Sequence, residues 1–161
     1  MGAGKSTIGR KLARRLECAF VDTDELIVRE HGPIKEIFSS EGEAAFRRYE
    51  RQVVEAVLTR GQPCVAALGG GAMTIPENRA LLKSHADTIF LRVSAQRIAQ
   101  RVRHSPHARP LLGARPSISR IRALYRERMP QYADADHVIE AERMSDRQIV
   151  DAIILWLNER A

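Results

Sequence analysis

Two alternating rhythms of apolar positions run along this chain. Over residues 6–16, Ile8, Leu12 and Leu16 recur at i, i+4 and i+8, and Arg10, Lys11, Arg14 and Arg15 fill the other side. That spacing predicts an amphipathic helix. Ala19, Phe20 and Val21 form a short apolar strand running into Asp22-Thr23-Asp24. Helices are expected over residues 25–31, stopped by the breaker pair Gly32-Pro33, over 34–38, and over about 43–60, closed by Gly61. Residues 64–68 read as a buried strand ending at Gly69-Gly70-Gly71. Pro76 opens a helix at its favoured first position, reaching about residue 84. A strand over 88–93 and a helix over 95–103 follow, then a loop over 105–116 carrying Pro106, Pro110, Gly113 and Pro116. The chain closes with a helix over 118–129, ending before Pro130, a brief strand over 137–140 and an amphipathic helix over 145–160.

Strands alternating with helices predict a parallel α/β sheet covered on both faces. In such sheets ligands sit at the carboxyl ends of the strands. Here those ends carry Asp22 and Asp24, the triple glycine, and the helix leading to the proline-rich loop. At 161 residues the chain fits one domain. No apolar run is long enough to span a bilayer and no signal peptide stands at the start, so a cytoplasmic protein without membrane contact is expected. Cys18 and Cys64 lie far apart and read as buried thiols of a reducing compartment. With 26 Lys and Arg against 20 Asp and Glu the formal charge is +6, yet aromatic residues are only 5% and no base-reading module is recognisable. A basic rim around a pocket for polyphosphate accounts for the charge better than nucleic acid does.

The candidate chemistry starts at the first residues. Gly4-Lys5-Ser6 is the end of the pattern G-x-x-x-x-G-K-[ST], whose leading Gly would lie before Met1. Glycines let backbone N–H groups turn toward phosphate oxygens, the Lys reaches the terminal phosphates and the hydroxyl ligates Mg²⁺. Asp22 and Asp24 fit either a helix N-cap or a division of labour, one carboxylate near the metal and the other on a substrate hydroxyl. Arg47 and Glu50 share a helix face. They read either as a surface ion pair of little worth or as a fork for a small carboxylate. Three glycines after a buried strand suit close approach of a ligand to the main chain. Arg109, in the proline-flanked loop, is either one exposed Arg among many or a lid residue closing over a transferring phosphate. Arg128, before Pro130, reads as dipole compensation at a helix end.

Together these residues resemble the shikimate kinase family across essentially the whole chain. The marks appear in order: G-K-S-T, D-T-D, G-E-x-x-F-R-x-x-E, L-G-G-G, R-P-L-L and R-x-P-x-Y. The resemblance implies a three-layer P-loop kinase fold like that of nucleoside monophosphate kinases, with a five-stranded parallel sheet. It also implies MgATP-dependent phosphorylation of the 3-hydroxyl of shikimate. Residues 1–161 would form a single kinase domain, with substrate-binding helices over about 24–60 and the lid loop over about 105–116. Gly2, Ala3, Gly4, Lys5, Ser6 and Thr7 match the nucleotide loop, with Ser6 and Asp22 at the metal. Asp24 matches the residue on the shikimate hydroxyl and base, Arg47 and Arg128 the pair gripping its carboxylate, Gly70 and Gly71 the main-chain contact, and Glu50 their acidic support. Lys5, Asp24 and Arg109 would be catalytic, Arg109 reaching ATP from the lid. Arg101 matches a further phosphate-side arginine, though its spacing to Arg109 is one residue longer than expected. A monomer is expected.

The pattern departs from the family at its start. The family carries about ten residues before this point, which form the first strand and the leading Gly, so the first strand is expected to be missing from this sequence. In the family's strand order it lies in the middle of the sheet, and a chain without it is expected to be poorly stable and to bind ATP weakly. The rival readings are a kinase of the same fold for another polyol such as gluconate, a non-catalytic nucleotide-binding relative, and a nucleic-acid binder suggested by charge alone.

Overall fold

The computed structural model describes residues 2–103 and 117–160. Helix α1 (Lys5–Arg15) buries Ile8 and Leu12 as the stripe prescribes, together with Ala13, whereas Leu16, the stripe's third position, lies just past the helix end and is exposed. Strand β1 (Ala19–Asp22) turns directly into α2 (Thr23–His31), and α3 (Ile34–Ser40) leads into the long α4 (Gly42–Thr59). Strand β2 (Cys64–Ala67) ends at the glycine run. One short 3₁₀ turn (Ala72–Thr74), which no sequence signal announces, precedes α5 (Pro76–His85). Then come β3 (Ile89–Arg92), α6 (Ala95–Arg103), α7 (Ile118–Ala133), β4 (His137–Glu140) and α8 (Asp146–Arg160).

Both strand pairings are parallel. Ala19 stands opposite Cys64 and Asp22 opposite Ala67, while Ile89 pairs with His137 and Arg92 with Glu140. The sheet expected to have five strands is present among the described residues as these two pairs, with no ladder between them. Side chains connect the pairs instead. Ile8 and Leu12 of α1, Leu91 of β3, Ile139 of β4, Ile121 of α7 and Ile149 of α8 share one apolar cluster, against which Val65 of β2 also packs. A second cluster of Ile27, Ile37, Phe46, Val53 and Val57 covers the other side of β1 and β2. At the amino end of β3 the Asp136 carboxylate accepts from Thr88 N and Oγ1 at 2.8 and 2.6 Å, which holds its pKa below the ordinary value.

Two expectations are corrected. Helix α7 does not stop before Pro130 but runs on to Ala133. Proline already has a helical φ and removes one N–H, and tertiary contacts from the last turn offset that loss. Arg128 therefore lies inside the helix, 6% exposed, and does not compensate a dipole at its end. The two thiols are free but only half-buried.

Candidate active site

Gly2, with φ +62°, and Gly4, with φ +98°, bend the first residues into a left-handed turn that other residues resist. The amide row this creates ends at the amino terminus of α1, where the helix dipole favours an anion. Lys5 and Ser6 occupy the first turn, with Thr7 exposed beside them. Ser6 Oγ donates to Asp22 Oδ2 at 2.5 Å. Asp22 Oδ1 meanwhile accepts Asp24 N–H at 3.1 Å and caps α2. The N-cap reading of Asp22 therefore holds through Oδ1, while Oδ2 faces Ser6. A hydroxyl and a carboxylate this close beside a phosphate-binding turn suit Mg²⁺, a hard ion that keeps several waters. Among the described residues no three His, Cys, Asp or Glu side chains group to hold a metal alone.

A second polar group assembles from four elements. Glu50 of α4 is 1% exposed, and its Oε2 accepts from Arg47 Nη1 at 2.6 Å. Arg47 also donates to Glu43 Oε1 through Nη2 at 2.9 Å and Nε at 3.3 Å. This is no loose surface pair. Burial pushes the Glu50 carboxyl up, and Arg47 opposes the shift without cancelling it. Among the described residues, Glu50 Oε1 is buried with no hydrogen-bond partner. From α7, Arg128 Nη1 and Tyr132 Oη both donate to the Gly70 carbonyl, at 2.8 and 2.6 Å.

The glycine run is packed by charge. A Cβ on Gly69 would lie 2.6 Å from Glu50 Oε1 and 2.7 Å from Asp24 Oδ1. One on Gly71 would lie 2.0 Å from Arg47 Nη1. Asp24, Arg47, Glu50, Gly70, Gly71 and Arg128 thus converge, far apart as they are in sequence. A cavity of about 20 Å³, room for a water, is lined by Ala3 of the turn together with Arg128 and Tyr132. Arg109 and the loop over 105–116 lie outside the described residues.

Three residues carry roles that the sequence did not assign them. Tyr132, the last position of the R-x-P-x-Y mark, stands one helical turn after Arg128 and shares its acceptor. Thr23 is fully buried, accepts Gly69 N–H at 2.9 Å and donates to Ala67 O at 3.3 Å, so it ties the start of α2 to the end of β2. Asn78, also fully buried, holds the 3₁₀ turn through Ala72 O at 3.1 Å. No pattern in the sequence singles it out.

Known proteins resemble this chain in sequence and fold. A sequence model described as shikimate kinase matches residues 1–158. The shikimate kinase of Ruegeria pomeroyi is 41% identical, over 99% of this chain and 82% of its own. That of Symbiobacterium thermophilum is 42% identical, over 99% of this chain and 93% of its own. Among solved structures, shikimate kinase from Acinetobacter baumannii in complex with shikimate superposes with a TM-score of 0.92 at 34% identity, covering 99% of this chain and 89% of that one. The enzyme from Aquifex aeolicus superposes with a TM-score of 0.84 at 31% identity, covering 99% of this chain and 93% of that one.

Proposed function

The chain belongs to the shikimate kinase family, and we propose that it transfers the γ-phosphate of ATP to the 3-hydroxyl of shikimate, giving ADP and 3-phosphoshikimate on the route to chorismate. The observation that carries this reading is the meeting of two half-sites at one sheet end. A phosphate-binding turn with the Ser6–Asp22 contact lies on one side, and two arginines packed on a glycine run beside Asp24 lie on the other. The fold is that of a P-loop kinase, an α/β architecture with parallel strands.

Gly2, Ala3, Gly4, Lys5, Ser6 and Thr7 hold the nucleotide phosphates in this proposal. Ser6 Oγ and Asp22 Oδ2 would bind Mg²⁺, which when present neutralises phosphate charge. Arg47 and Arg128 grip the shikimate carboxylate, Arg47 being held rigid by Glu43 and Glu50. Gly70 and Gly71 offer main chain at contact distance. Asp24 accepts the proton of the attacking hydroxyl, and Lys5 and Arg109 balance the charge developing on the transferring group. Phosphoryl transfer asks chiefly for alignment and charge balance, and these side chains supply both.

The discriminating measurement is ADP release with shikimate, gluconate and no acceptor, on the parent chain and Asp24→Asn. Shikimate-dependent turnover, abolished in Asp24→Asn with ATP binding spared, is expected. Turnover with gluconate alone, or ATP binding without turnover on any acceptor, would refute it.

A further inference from the structure

Arg101 contacts the phosphate-binding turn from behind. Its Nη1 donates to the carbonyls of Ala3 at 2.7 Å and Gly2 at 3.2 Å, nearly a hundred residues away in sequence. A trans peptide group points its C=O and N–H in opposite directions. The Gly2 carbonyl shares its peptide with the Ala3 amide, and the Ala3 carbonyl shares its own with the Gly4 amide. Drawing both carbonyls toward α6 therefore turns the Ala3 and Gly4 N–H groups away from α6. Those are the amides that the alternating turn at Gly2 and Gly4 aligns into an anion-binding concavity.

The support behind Arg101 is built to hold it there. Ile98, Arg101 and Val102 lie on one face of α6. A Cβ on Gly2 would meet Ile98 Cγ2 at 3.3 Å and Val102 Cγ2 at 3.4 Å, and one on Gly4 would meet Arg101 Nη1 at 3.4 Å. The turn thus rests on this face with little slack. The amino end of α6 is itself latched, since Ser94 donates N–H and Oγ–H to Glu142 at 2.7 and 3.0 Å while its Oγ accepts Arg97 N–H at 3.1 Å.

We infer that Arg101 is a positioning residue of the phosphate-binding turn, acting on the turn's carbonyls and setting the direction of its amides before any nucleotide arrives. This rests on the reading of residues 2–7 as the nucleotide site. A guanidinium placed to touch ATP directly would act only once ATP is bound. This one acts on the empty site.

The test uses the full chain and the variants Arg101→Met and Arg101→Lys, the second keeping charge and stem. Three quantities are measured: the ¹⁵N–¹H resonances of Ala3 and Gly4 without ligand, the affinities for Mg-pyrophosphate and MgADP by calorimetry, and the KM for shikimate. Expected are displaced Ala3 and Gly4 resonances in the ligand-free variants. Pyrophosphate and MgADP affinities should fall by the same factor, roughly tenfold in Arg101→Met and less in Arg101→Lys, with the shikimate KM unmoved. Unchanged resonances in the ligand-free variants would overturn the inference, whatever the affinities do. So would loss of MgADP affinity with pyrophosphate binding intact, which would put Arg101 on the nucleoside. Should Arg101→Met fail to fold, the resonances and affinities of Arg101→Lys decide alone. If the parent chain binds no pyrophosphate, the nucleotide-site reading falls and takes this inference with it. If parent and variants bind it equally, only the role of Arg101 falls.

Discussion

Replacing Gly71 with Ala should weaken shikimate binding by moving an arginine that is not itself mutated. The backbone at Gly71 has φ −101° and ψ −11°, open to L-residues, so the added methyl strains nothing in the main chain. Its cost is steric. The new carbon would stand 2.0 Å from Arg47 Nη1, 2.7 Å from Cζ and 2.8 Å from Nη2. Ordinary contact is about 3.5 Å, so the guanidinium has to retreat by on the order of 1.5 Å. A charge-assisted hydrogen bond contributes about 1.5–3 kcal/mol, and tenfold in affinity is about 1.4 kcal/mol. Losing Arg47 from the substrate carboxylate should therefore raise the KM for shikimate roughly 10- to 100-fold, with a smaller fall in kcat and an unchanged KM for ATP. The assay is steady-state ADP release with shikimate varied, repeated on Arg47→Met and the double variant. Methionine ends one atom short of Cζ and so leaves the clash region empty, and Gly71→Ala should add almost nothing on the Arg47→Met background. An unchanged KM for shikimate, or penalties that simply add, would refute the reasoning.

Glu50 gives a pH-dependent counterpart. Its folded pKa lies above the ordinary 4.5 because burial disfavours the anion. The parent's advantage from a protonated Glu50 is thus full below about 4.5 and lost as pH rises through the folded value. Melting temperature measured from pH 4 to 8 should show Glu50→Gln gaining on the parent across that window; a constant difference, or a gain toward acid, would count against it. Gly9→Ala tests the packing of α1 on β1, because its Cβ would lie 2.5 Å from Phe20 Cε2. Overpacking of this kind costs about 1–3 kcal/mol and should lower the melting temperature, with Phe20→Leu restoring it. No rescue by that second change would mean the cost lies elsewhere.

Elements with a strong period or a hard stop are legible in the amino-acid sequence alone. Ile8 and Leu12 announce α1, Gly32-Pro33 ends α2, and residues 137–140 match the bounds of β4. Pro130 misleads because a local breaker rule knows nothing of the Gly70 carbonyl that Arg128 and Tyr132 hold from that helix. The candidate site is legible where residue type limits the chemistry: Gly4-Lys5-Ser6, the two aspartates, the glycine run. It is not legible where a common residue acquires its role from a long-range partner. Thr23 beside Gly69 and Asn78 beside Ala72 are both of that kind.

The tripeptide Asp22-Thr23-Asp24 shows why the two half-sites cannot drift independently. As β1 gives way to α2, its three side chains take three different partners. Asp22 reaches back to Ser6 on the phosphate side. Thr23, fully buried, binds Gly69 N and Ala67 O at the end of the neighbouring strand. Asp24 lies with Glu50 against Gly69, on the acceptor side. The parallel register that sets Asp22 opposite Ala67 brings Thr23 level with the glycine run. On the proposed reading, phosphate site and acceptor site are therefore linked through one strand end. In-line transfer is sensitive to displacements near 1 Å. A strand-to-helix turn held by Asp22 on Ser6 and by Thr23 on the neighbouring strand end would supply that alignment.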